Sequence, residues 1–355
     1  MKVLHISGAK GWGGGENQLL LALDKISEKQ EITQYLLCPI DSVLSNKINI
    51  SKINLVTAPK NLKLDPRFIF SIRKIVKSEK IDIVHVHDPE AHSLVVLAID
   101  IFFLKVKVVL HKKTIFPIKN KKYSIYKYNH KSIKYIICVS QASKESIKNN
   151  VKNIPITVIY DAVIAPNHMR IKNRCDDSFI VLNIANHTRH KNLFTLLDIA
   201  NNCINIEKLP FKFIQLGHGK LSVNLKQKLI DLNLNDFFEF KGFVDNVEIF
   251  YEQSDAFVFT SVREGLGVSL LEAAVNGLPI VSSNSGGIPE FIEDETEGLL
   301  CTFDDVDSFV KNLKRLYYSS ELSKELSENA FRKVKNKFSA KIMAKKTINI
   351  YELIC

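Results

Sequence analysis

Short β-rich runs alternate with helical patterns along most of this chain of 355 residues. The first strand, Lys2–Ser7, leads through a glycine-rich loop into a helix near Glu16–Ser27, and an amphipathic helix near Arg67–Lys80 precedes a later strand. Strands that are separated by helices do not pair as hairpins, so this pattern favours parallel β-α-β units and an α/β fold. In the first half we predict strands at residues 2–7, 32–38, 82–87, 107–111, 135–140 and 157–160.

The alternation is interrupted once and then starts again. Residues from about 163 to 178 end in a polar run and are predicted to be a linker. After it we predict a helix near residues 192–202 and strands at residues 179–184, 211–216, 238–240, 256–260 and 279–282. The pattern therefore predicts two Rossmann-like, doubly wound domains, whose sheets bind ligands beyond the carboxyl ends of their strands. The predicted boundaries are 1–165 and 176–335, with a helix at 336–355 that packs back towards the first domain.

The composition is that of a soluble globular protein, with 46% apolar and 25% charged residues. The six cysteines are scattered without a Cys-x-x-Cys pair, which argues against a zinc site or a disulfide framework and favours a reducing cytoplasm. The longest apolar stretch, Leu94–Leu104, is interrupted by Asp100 and falls well short of the ~20 residues of a membrane-spanning helix. The apolar run at the start of the chain is likewise too short for a signal peptide.

Positive charge is concentrated in the first half of the chain. Residues 1–175 hold 29 basic and 13 acidic side chains, a net charge of +16, whereas the remainder carries −5. Between Ile101 and Lys144 there are eleven lysines and no acid. One interpretation is a solvated surface, and the other is a surface for anionic lipid headgroups or a polyanionic acceptor. No zinc finger or RNA-binding signature points to nucleic acid.

Two glutamates, Glu264 and Glu272, flank a Gly-Leu-Gly turn and the start of a predicted helix. That helix spans residues 268–276 and is ended by Gly277. A helix start presents free N–H groups and a partial positive charge, which suit a diphosphate. Glu272 lies about 7 Å further along the axis than Gly267, at ~1.5 Å per residue, which is the step from a phosphate to a ribose diol. Taken alone, such a pair is more often two solvated acids on a helix surface.

The second half contains further motifs in a definite order. They are Asn183-Ile184-Ala185-Asn186 with Lys191-Asn192, Leu216-Gly217-His218-Gly219, Lys241-Gly242-Phe243-Val244-Asp245-Asn246, the Glu264/Glu272 segment, Asn276-Gly277-Leu278-Pro279 and Ser285-Gly286-Gly287-Ile288-Pro289-Glu290. The first half adds Gly13-Gly14-Gly15-Glu16 and the strand Asp-Ile-Val-His-Val-His at 82–87. Over nearly the whole chain these motifs resemble the retaining glycosyltransferases of family 4, also called group 1. The resemblance implies the GT-B fold, in which two Rossmann-like domains face a central cleft.

The resemblance also implies that a nucleoside-diphosphate sugar binds mainly to the second domain. By it, Glu264 would contact hydroxyls of the donor sugar and Glu272 would contact the ribose. Lys191 would supply positive charge to the departing diphosphate, an electrostatic form of catalysis. The other positions implied to contact the donor are Gly217, Val244 and, through their backbone N–H groups, Leu266, Gly267 and Val268.

One position departs from the family pattern. The family often has an arginine five residues before the lysine, and that position is Asn186 in this chain. Arg189 or His190 is then the candidate for a second phosphate contact. Gly217 has a second interpretation as well, since a glycine there also suits an ordinary turn from a strand into a helix.

In the first domain the resemblance places the acceptor. Gly14 and Gly15 lie between a strand and a helix, where glycine lets the backbone approach a ligand closely and adopt unusual φ and ψ angles. His111 ends a predicted strand and is favoured as the histidine that touches the donor sugar, with His87 next. A structural role is the alternative for each. His85 and His87 alternate with valines and are expected to face one side of their strand.

Three residues that lie next to these candidates in the sequence have roles that the sequence leaves open. Trp12 lies on the glycine-rich loop, where it either stacks on a sugar or packs the loop against the core. Lys112 and Lys113 directly follow His111, where they are placed to meet an acceptor phosphate or carboxylate.

We therefore expect a retaining glycosyltransferase that moves a hexose or N-acetylhexosamine from a UDP- or GDP-sugar to a hydroxyl of a cell-surface polysaccharide or glycolipid precursor. Beyond that donor substrate we expect no cofactor and no metal, since Asp305-Val306-Asp307 precedes a helix and is typical of a helix cap. The alternatives are a sugar-nucleotide epimerase or hydrolase of the same fold, or a non-catalytic sugar-nucleotide-binding protein. The expected location is the cytoplasm, and a protein that associates peripherally with a membrane would lie at the inner face of the plasma membrane.

Overall fold

The computed structural model describes residues 1–49, 51–169 and 178–355. The chain divides into two compact units. Unit 1 comprises Met1–Ala162 and Ala340–Cys355, and unit 2 comprises Val163–Ser339.

The unit boundaries differ slightly from the predicted ones. The first unit ends at Ala162 rather than at 165, and the last segment joins it from Ala340 rather than from 336. The second difference arises because a helix of unit 2 continues to Lys337. Residues 170–177, which form most of the second part of the predicted linker, lie outside the described residues.

Unit 1 is built on a seven-stranded sheet in which every pair of neighbouring strands is parallel. Its strands are β1 (Lys2–Ile6), β2 (Thr33–Pro39), β3 (Asn54–Ala58), β4 (Ile83–Val86), β5 (Lys107–Lys112), β6 (Ile133–Cys138) and β7 (Ile156–Val158). The order is β3-β2-β1-β4-β5-β6-β7, so the chain reverses its direction of travel between β1 and β4. Doubly wound sheets bind ligands at such a reversal, beyond the carboxyl ends of the strands.

Polar side chains cap the amino-terminal ends of several helices of unit 1. The helices are α1 (Gly14–Ile26), α2 (Val43–Lys47), α3 (Pro66–Ser78), α4 (Pro89–Phe102), α5 (Lys122–Tyr128), α6 (Gln141–Lys148) and, at the end of the chain, α13 (Ala340–Ile354). Asp65 accepts a hydrogen bond from the N–H of Arg67 at the start of α3, and Asp88 caps α4 in the same way. These caps satisfy N–H groups that the first helical turn leaves without a partner.

Unit 2 repeats this architecture with six strands in the order β10-β9-β8-β11-β12-β13, again all parallel. The strands are β8 (Phe179–Ile184), β9 (Phe211–Leu216), β10 (Phe238–Gly242), β11 (Ala256–Phe259), β12 (Ile280–Ser283) and β13 (Leu299–Cys301). The helices are α7 (Leu193–Asn201), α8 (Ser222–Asp231), α9 (Glu248–Gln253), α10 (Val268–Val275), α11 (Val306–Tyr318) and α12 (Ser320–Lys337). A π-helical turn at Asn202–Ile206 extends α7, and 3-10 turns lie at Arg189–Lys191 and Ile288–Glu290.

The predicted α/β architecture is confirmed, with two strands beyond those that the sequence pattern predicts. β3 and β13 each lie at an edge of their sheet, and β13 has only three residues. An edge strand pairs on one side only, so it needs less of the continuous apolar run that marks a central strand. Asp305 accepts a hydrogen bond from the N–H of Ser308 at the start of α11, which confirms that the acids around residue 306 include a helix cap.

The two faces of the sheet in unit 1 are covered by different helices. Apolar side chains of α3 and α4, including Phe68, Ile72 and Leu94, pack on one face. On the other face, Val3, Ile83, Val109 and Ile137 of the strands pack with Met343, Ile348 and Tyr351 of α13, beside α1. Within the described parts of the chain, no helix has both the length and the apolar character that crossing a membrane requires.

Candidate active site

In unit 2 a short turn at the carboxyl edge of the sheet presents Lys191. The turn, Arg189–Lys191, follows β8 and ends at Asn192, whose φ of 53° is left-handed. It is fastened to the segment after β11, because the N–H of Val262 donates to the carbonyl of His190 at 2.8 Å and the hydroxyl of Thr260 donates to the carbonyl of Lys191 at 3.0 Å. The lysine is therefore held against the segment that carries Glu264.

Lys191 and Glu264 form an ion pair, with Nζ of the lysine at Oε2 of the glutamate. Both side chains are largely shielded, with 18% and 17% of their surfaces exposed. The ammonium group also lies over the ring of Phe259, 4.9 Å from its centroid. A shielded lysine that already holds one anionic partner at a sheet edge is well placed to meet a second anion.

Gly267 places the start of α10 beside this pair. Its φ of 96° is left-handed, and a Cβ at this position would lie 2.8 Å from Cδ1 of Leu270, so only glycine fits without strain. In the part of the chain that the structure describes, no side chain caps α10. The first N–H groups of the helix, beginning with that of Val268, are left for a ligand, and they carry the partial positive charge of a helix start. Leu266, directly before the glycine, is buried.

Glu272 lies one turn further along α10 and is bonded to Tyr251 of α9. The hydroxyl of Tyr251 lies 3.1 Å from Oε2 of Glu272, and Tyr251 itself is buried. Burial raises the pKa of Glu272 to about 7, although the hydrogen bond from Tyr251 opposes the shift. The carboxyl group of Glu272 is thus poised between its charged and neutral forms near neutral pH.

The ends of β8, β9 and β10 are joined by backbone hydrogen bonds. The N–H of Gly217 donates to the carbonyl of Gly242 at 2.7 Å, and the N–H of Ala185 donates to the carbonyl of Leu216 at 2.9 Å. A Cβ on Gly217 would lie 2.1 Å from the carbonyl oxygen of Ala185. Close packing of two loops therefore explains this glycine, in agreement with the turn interpretation. Val244 follows β10 at the same edge and is half-buried.

The structure does not change the interpretation of position 186, where this chain has an asparagine and the family often has an arginine. Asn186 is exposed, and its carbonyl accepts a hydrogen bond from the N–H of Thr188. Arg189 is also exposed, on the turn that carries Lys191. His190 is half-buried, and burial together with the charge of Lys191 lowers the pKa of its imidazole. Arg189 is therefore the better cation of the two candidates.

Four histidines of unit 1 lie on one face of the sheet, as the strand register requires. His5 of β1 pairs with His85 of β4, and the pairing of β4 with β5 brings His87 level with His111. Since alternate side chains of a strand share a face, His85 and His87 point the same way, and their ring centroids lie 4.2 Å apart. The prediction that these two share one side of the strand is confirmed. We call His5, His85, His87 and His111 the histidine block.

Hydrogen bonds link the histidine block internally and to the end of the chain. Nδ1 of His5 lies 3.0 Å from Nε2 of His87, and Nδ1 of His85 lies 2.5 Å from the hydroxyl of Tyr351 on α13. Neither nitrogen of His111 has a hydrogen-bond partner among the described residues. Burial lowers the pKa of all four imidazoles, that of His5 to about 3, so the histidine block is neutral at physiological pH.

Two histidines of the block do not aim their facing nitrogens at a shared ion. Ligand atoms of His5, His85 and His87 lie within 4.8 Å of one another. However, the rings of His5 and His87 are within 18° of parallel with centroids 5.3 Å apart, while their nearest nitrogens are 3.0 Å apart. Two five-membered rings with these spacings lie nearly in line, so their nitrogens point at each other rather than at a shared ion. Metal-binding nitrogens instead point at an ion about 2.0–2.1 Å away.

The glycine-rich loop has a different conformation from the predicted one. Gly14 and Gly15 form the first turn of α1, and neither has a left-handed φ. The expectation of unusual φ and ψ angles is wrong for these two positions, because the helix begins earlier than predicted. A Cβ on Gly15 would make only an ordinary contact, 3.6 Å from Cδ of Lys113. Trp12 is half-buried and packs against the cluster that contains Leu19, in line with its interpretation as loop packing.

The two lysines after His111 point in different directions. Lys112 is buried, and its Nζ donates to the carbonyl and hydroxyl of Thr114 and to the carbonyl of Phe116 at 2.6–2.8 Å. It holds its own loop and has no capacity left for an acceptor, so that expectation is wrong for Lys112. Lys113 instead donates to the carbonyl of Gly15 at 2.6 Å, beside Glu16. Burial lowers the pKa of Lys113 and raises that of Glu16.

Sequence reasoning did not identify Tyr251, Tyr351 or His5 as parts of these sites. Each lies far along the chain from its partner, and only folding brings the two together. His5 carried one signal, its place on a predicted strand, but only the structure shows that this strand neighbours the Val-His-Val-His strand. Neither tyrosine stands in a motif.

Comparison with known proteins agrees with this geometry. Residues 165–333 match the family model described as glycosyl transferases group 1, and residues 14–164 match the model described as glycosyltransferase family 4. A relative from Escherichia coli, UDP-Gal:alpha-D-GlcNAc-diphosphoundecaprenol alpha-1,3-galactosyltransferase, is 26% identical over 85% of this chain and 83% of its own. An uncharacterized glycosyltransferase from Methanocaldococcus jannaschii is 28% identical over 75% of this chain and 74% of its own.

Two solved structures show the same fold. HepE of Anabaena, in complex with UDP and glucose, superposes with a TM-score of 0.85 at 17% identity and covers 99% of both chains. The lipopolysaccharide outer core galactosyltransferase WaaB superposes with a TM-score of 0.73 at 18% identity, also over 99% of both. These likenesses confirm the GT-B type of fold. Since the two family models together match residues 14 to 333, the chain belongs to the family 4, group 1 glycosyltransferases.

Proposed function

We propose that this glycosyltransferase moves a hexose or N-acetylhexosamine, with retention at the anomeric carbon, from a UDP-sugar to a hydroxyl of a lipid-linked precursor of a surface polysaccharide or lipopolysaccharide. GDP-sugars are the second class of donor. The observation that carries the proposal is the Lys191–Glu264 ion pair at the uncapped start of α10. It combines a cation, a carboxylate and free N–H groups at one edge of the sheet in unit 2.

The proposed donor contacts divide the sugar nucleotide into three parts. The diphosphate lies at the N–H groups of Leu266, Gly267 and Val268, where a helix start favours negative charge. Lys191 stabilises the charge that develops on the leaving diphosphate, and Arg189 adds a second positive charge. The remaining contacts are those of Glu264 with the sugar hydroxyls, Glu272 with the ribose, and Gly217 and Val244 with the base end of the nucleotide.

On this proposal, binding of the donor changes the partners of both Lys191 and Glu264. In the free enzyme each charge compensates the other. When the diphosphate arrives, Lys191 gains an anionic partner, and the carboxylate of Glu264 becomes available to accept hydrogen bonds from sugar hydroxyls. Because both groups are shielded from water, these interactions are stronger than they would be on an open surface.

The proposed chemistry needs neither an enzyme nucleophile nor a metal ion. The acceptor hydroxyl attacks the same face of the sugar that the diphosphate leaves, within a short-lived ion pair, and the leaving diphosphate helps to take the proton of that hydroxyl. Protein positive charge, chiefly that of Lys191, does the work that a divalent cation does in other transferases. In unit 1, His111 contacts substrate, and Gly14 and Gly15 offer the N–H groups at the start of α1.

Several relatives support the choice of donor and acceptor. The Escherichia coli relative is named for UDP-Gal and for an acceptor on diphosphoundecaprenol, and a Rhizobium meliloti relative, 27% identical over 46% of this chain, is named for lipopolysaccharide core biosynthesis. HepE was solved with UDP and glucose and with UDP-glucose. These names favour UDP over GDP and a lipid-linked glycan over a soluble sugar.

The test is a transfer assay with UDP-glucose, UDP-galactose, UDP-N-acetylglucosamine and the GDP-sugars, using a GlcNAc-diphosphate lipid as acceptor. Proton NMR of the product gives the anomeric configuration. Transfer from one UDP-sugar with retention, unaffected by EDTA, is the expected result. An inverted product or an absolute need for a divalent ion would contradict the mechanism. Conversion of the donor sugar without acceptor would indicate an epimerase or hydrolase, and nucleotide binding without any turnover would indicate a non-catalytic protein.

We further propose that the enzyme works at the cytoplasmic surface of an anionic membrane. The acid-free stretch from Ile101 to Lys144 lies in unit 1, and six of its eleven lysines are exposed, whereas Lys112 and Lys127 are buried. The same unit exposes large apolar side chains near lysines, among them Leu62 and Phe116, which are 64% and 43% exposed. Lysines attract anionic headgroups, and apolar tips enter the interface.

Flotation with liposomes tests this location. The protein should bind vesicles that contain anionic lipid at low salt and be released at high salt, because salt screens surface charge. Vesicles of phosphatidylcholine alone should not bind it. Leu62→Ser should weaken binding, whereas Val223→Ser, which removes a 79% exposed apolar side chain from unit 2, should not. Equal binding to both kinds of vesicle at high salt would contradict the electrostatic part of the proposal.

A further inference from the structure

In the described part of the chain, no hydrogen bond fixes the orientation of the His111 ring. Neither of its nitrogens has a partner within the described residues. The ring packs instead against His85, parallel within 8° at a centroid distance of 5.4 Å, and it lies 5.7 Å from the ring of His87. The last torsion of a histidine side chain is soft and nearly two-fold. The orientation of the His111 ring therefore depends on the rings that pack against it.

Among the residues that the structure describes, the ring of His85 has one hydrogen-bond partner. Its Nδ1 lies 2.5 Å from the hydroxyl of Tyr351, and both residues are buried. The two rings also meet edge to face, with centroids 5.7 Å apart. Tyr351 stands on α13, which packs beside α1 on this face of the sheet. A bond from the end of the chain thus fixes the ring on which His111 rests.

We propose that Tyr351 is a positioning residue for the substrate-binding edge of unit 1: its hydroxyl holds His85, and His85 holds the ring of His111. The inference rests on the proposed function, since it takes His111 to contact substrate. On this view α13 does more than cover the sheet, because it sets the orientation of an active-site side chain.

Removing one hydroxyl tests the proposal. Tyr351→Phe keeps the aromatic ring and its packing but deletes the bond to His85. Thr347→Val is the matched control, because it deletes another buried hydroxyl of α13, one that donates to the carbonyl of Met343 at 2.9 Å rather than to a histidine. We expect Tyr351→Phe to lower kcat about tenfold, since small displacements of an active-site group are costly. The KM for the donor should stay within about twofold, as should both constants of Thr347→Val.

A second comparison, made in an enzyme that lacks His111, separates positioning from a general loss of structure. In a His111→Ala enzyme the group to be positioned is gone, so adding Tyr351→Phe should change kcat by less than about twofold. The same tenfold loss with and without His111 would overturn the proposal. A loss of equal size in Thr347→Val would overturn it as well.

Nuclear magnetic resonance gives a readout that does not depend on activity. In protein labelled with ¹⁵N-histidine, His111→Ala and His85→Gln identify the two sets of ring signals. Tyr351→Phe should shift the signals of both His85 and His111, and Thr347→Val should leave them in place. If the His111 signals do not move in Tyr351→Phe, the inference is wrong. If the assay finds no glycosyl transfer from any donor, the proposed function fails, and these spectra still decide whether Tyr351 positions His111.

Discussion

At the scale of single residues, partners decide what the charged groups of unit 2 can do. Lys191 is paired with Glu264 and shielded, whereas Lys241 pairs with Glu239 on an open surface, where 35% and 58% of the two side chains are exposed. An exposed ion pair contributes about 0–1 kcal/mol to stability, and a shielded one leaves a costly unpaired charge when one partner is removed. The same type of pair therefore has different consequences at the two places.

We expect Lys191→Met to lower kcat by about 10²–10³, the usual loss when one stabilising group at a developing negative charge is removed. It should also lower the free energy of unfolding by about 1–3 kcal/mol, since the carboxylate of Glu264 loses its partner. Lys241→Met is the control and should change both quantities little. Transfer kinetics and urea unfolding measure the two effects. A Lys191→Met enzyme with normal kcat would contradict the role of the lysine.

Glu272→Gln should have opposite effects on stability and on donor binding. The pKa of Glu272 is raised from 4.5 to about 7 in the folded protein. Between these pH values the folded chain holds a proton that the unfolded chain has lost, so the free energy of unfolding falls as the pH rises through this window. Glutamine removes that loss, so the variant should melt at a higher temperature than the wild type at pH 8, by roughly 2–4 °C for each 1 kcal/mol of stability regained.

At about pH 3.5 the two proteins should melt alike, because Glu272 is then largely protonated in both the folded and the unfolded chain. Donor affinity should fall in Glu272→Gln at every pH at which Glu272 is charged, because an amide accepts hydrogen bonds from the ribose more weakly than a carboxylate does. Melting curves at the two pH values and titration with UDP check both statements. A stability gain of the same size at both pH values would contradict the assigned pKa.

At the scale of elements, the loops at the carboxyl edge of unit 2 depend on close backbone approach. Gly217 and Gly242 are joined by a hydrogen bond, and both have positive φ angles, 132° and 73°. They differ in their surroundings, since a Cβ on Gly217 would lie 2.1 Å from a carbonyl oxygen and a Cβ on Gly242 would meet nothing within 4 Å. The two glycines therefore separate backbone strain from steric overlap.

We expect Gly242→Ala to cost about 1 kcal/mol of stability, which is the strain of a left-handed residue with a side chain. Gly217→Ala should cost more than 3 kcal/mol, because the backbone of the β8 loop must also move to admit the methyl group. Donor binding should fall in Gly217→Ala as well, since the same loop leads to Lys191. Chemical unfolding and UDP titration of both variants give the comparison. Equal destabilisation of the two would show that the loops adjust freely.

At the scale of the whole molecule, the two units bury different numbers of histidines. Burial lowers the pKa of five imidazoles in the described part of unit 1, those of His5, His85, His87, His92 and His111. In the described part of unit 2 the same holds for His187 and His190, of which the second is half-buried. Unit 1 therefore carries more groups that resist protonation while folded.

Unit 1 should consequently be the more sensitive unit to acid. Below pH 6.5 the histidines of the unfolded chain are protonated, whereas the buried histidines of the folded unit stay neutral. The free energy of unfolding of unit 1 therefore falls as the pH falls, by up to about 1.4 kcal/mol per pH unit for each histidine. Hydrogen exchange read by mass spectrometry at pH 7 and pH 5.5, corrected for intrinsic rates, should show larger loss of protection in unit 1. His87→Gln should reduce this loss. A loss confined to unit 2 would contradict the prediction.

The local pattern of the sequence was sufficient to predict the architecture. The alternation of β-rich and helical segments, and the restart after residue 178, predicted two parallel sheets, because strand and helix periodicity depend on residues only a few positions apart. Two of the four edge strands, β3 and β13, were missed, since a strand that is paired on one side only carries a weaker signal. The motifs around Lys191, Glu264 and Gly267 predicted, in the same local way, residues that the structure brings together at one edge of the sheet in unit 2.

The contacts that give these residues their properties join distant parts of the chain. Lys191 and Glu264 are 73 positions apart, Tyr251 and Glu272 are 21 apart, and His85 and Tyr351 are 266 apart. No periodicity or spacing encodes such pairs, because strand order and helix packing bring them together only after the chain folds. The sequence thus determined the fold class and the family of this protein, and it named Lys191 and Glu264 as candidates for the donor site. The charge state of Glu272, the ion pair of Lys191 and the alignment of the four histidines depend on desolvation and on strand register, and these exist only in the folded chain.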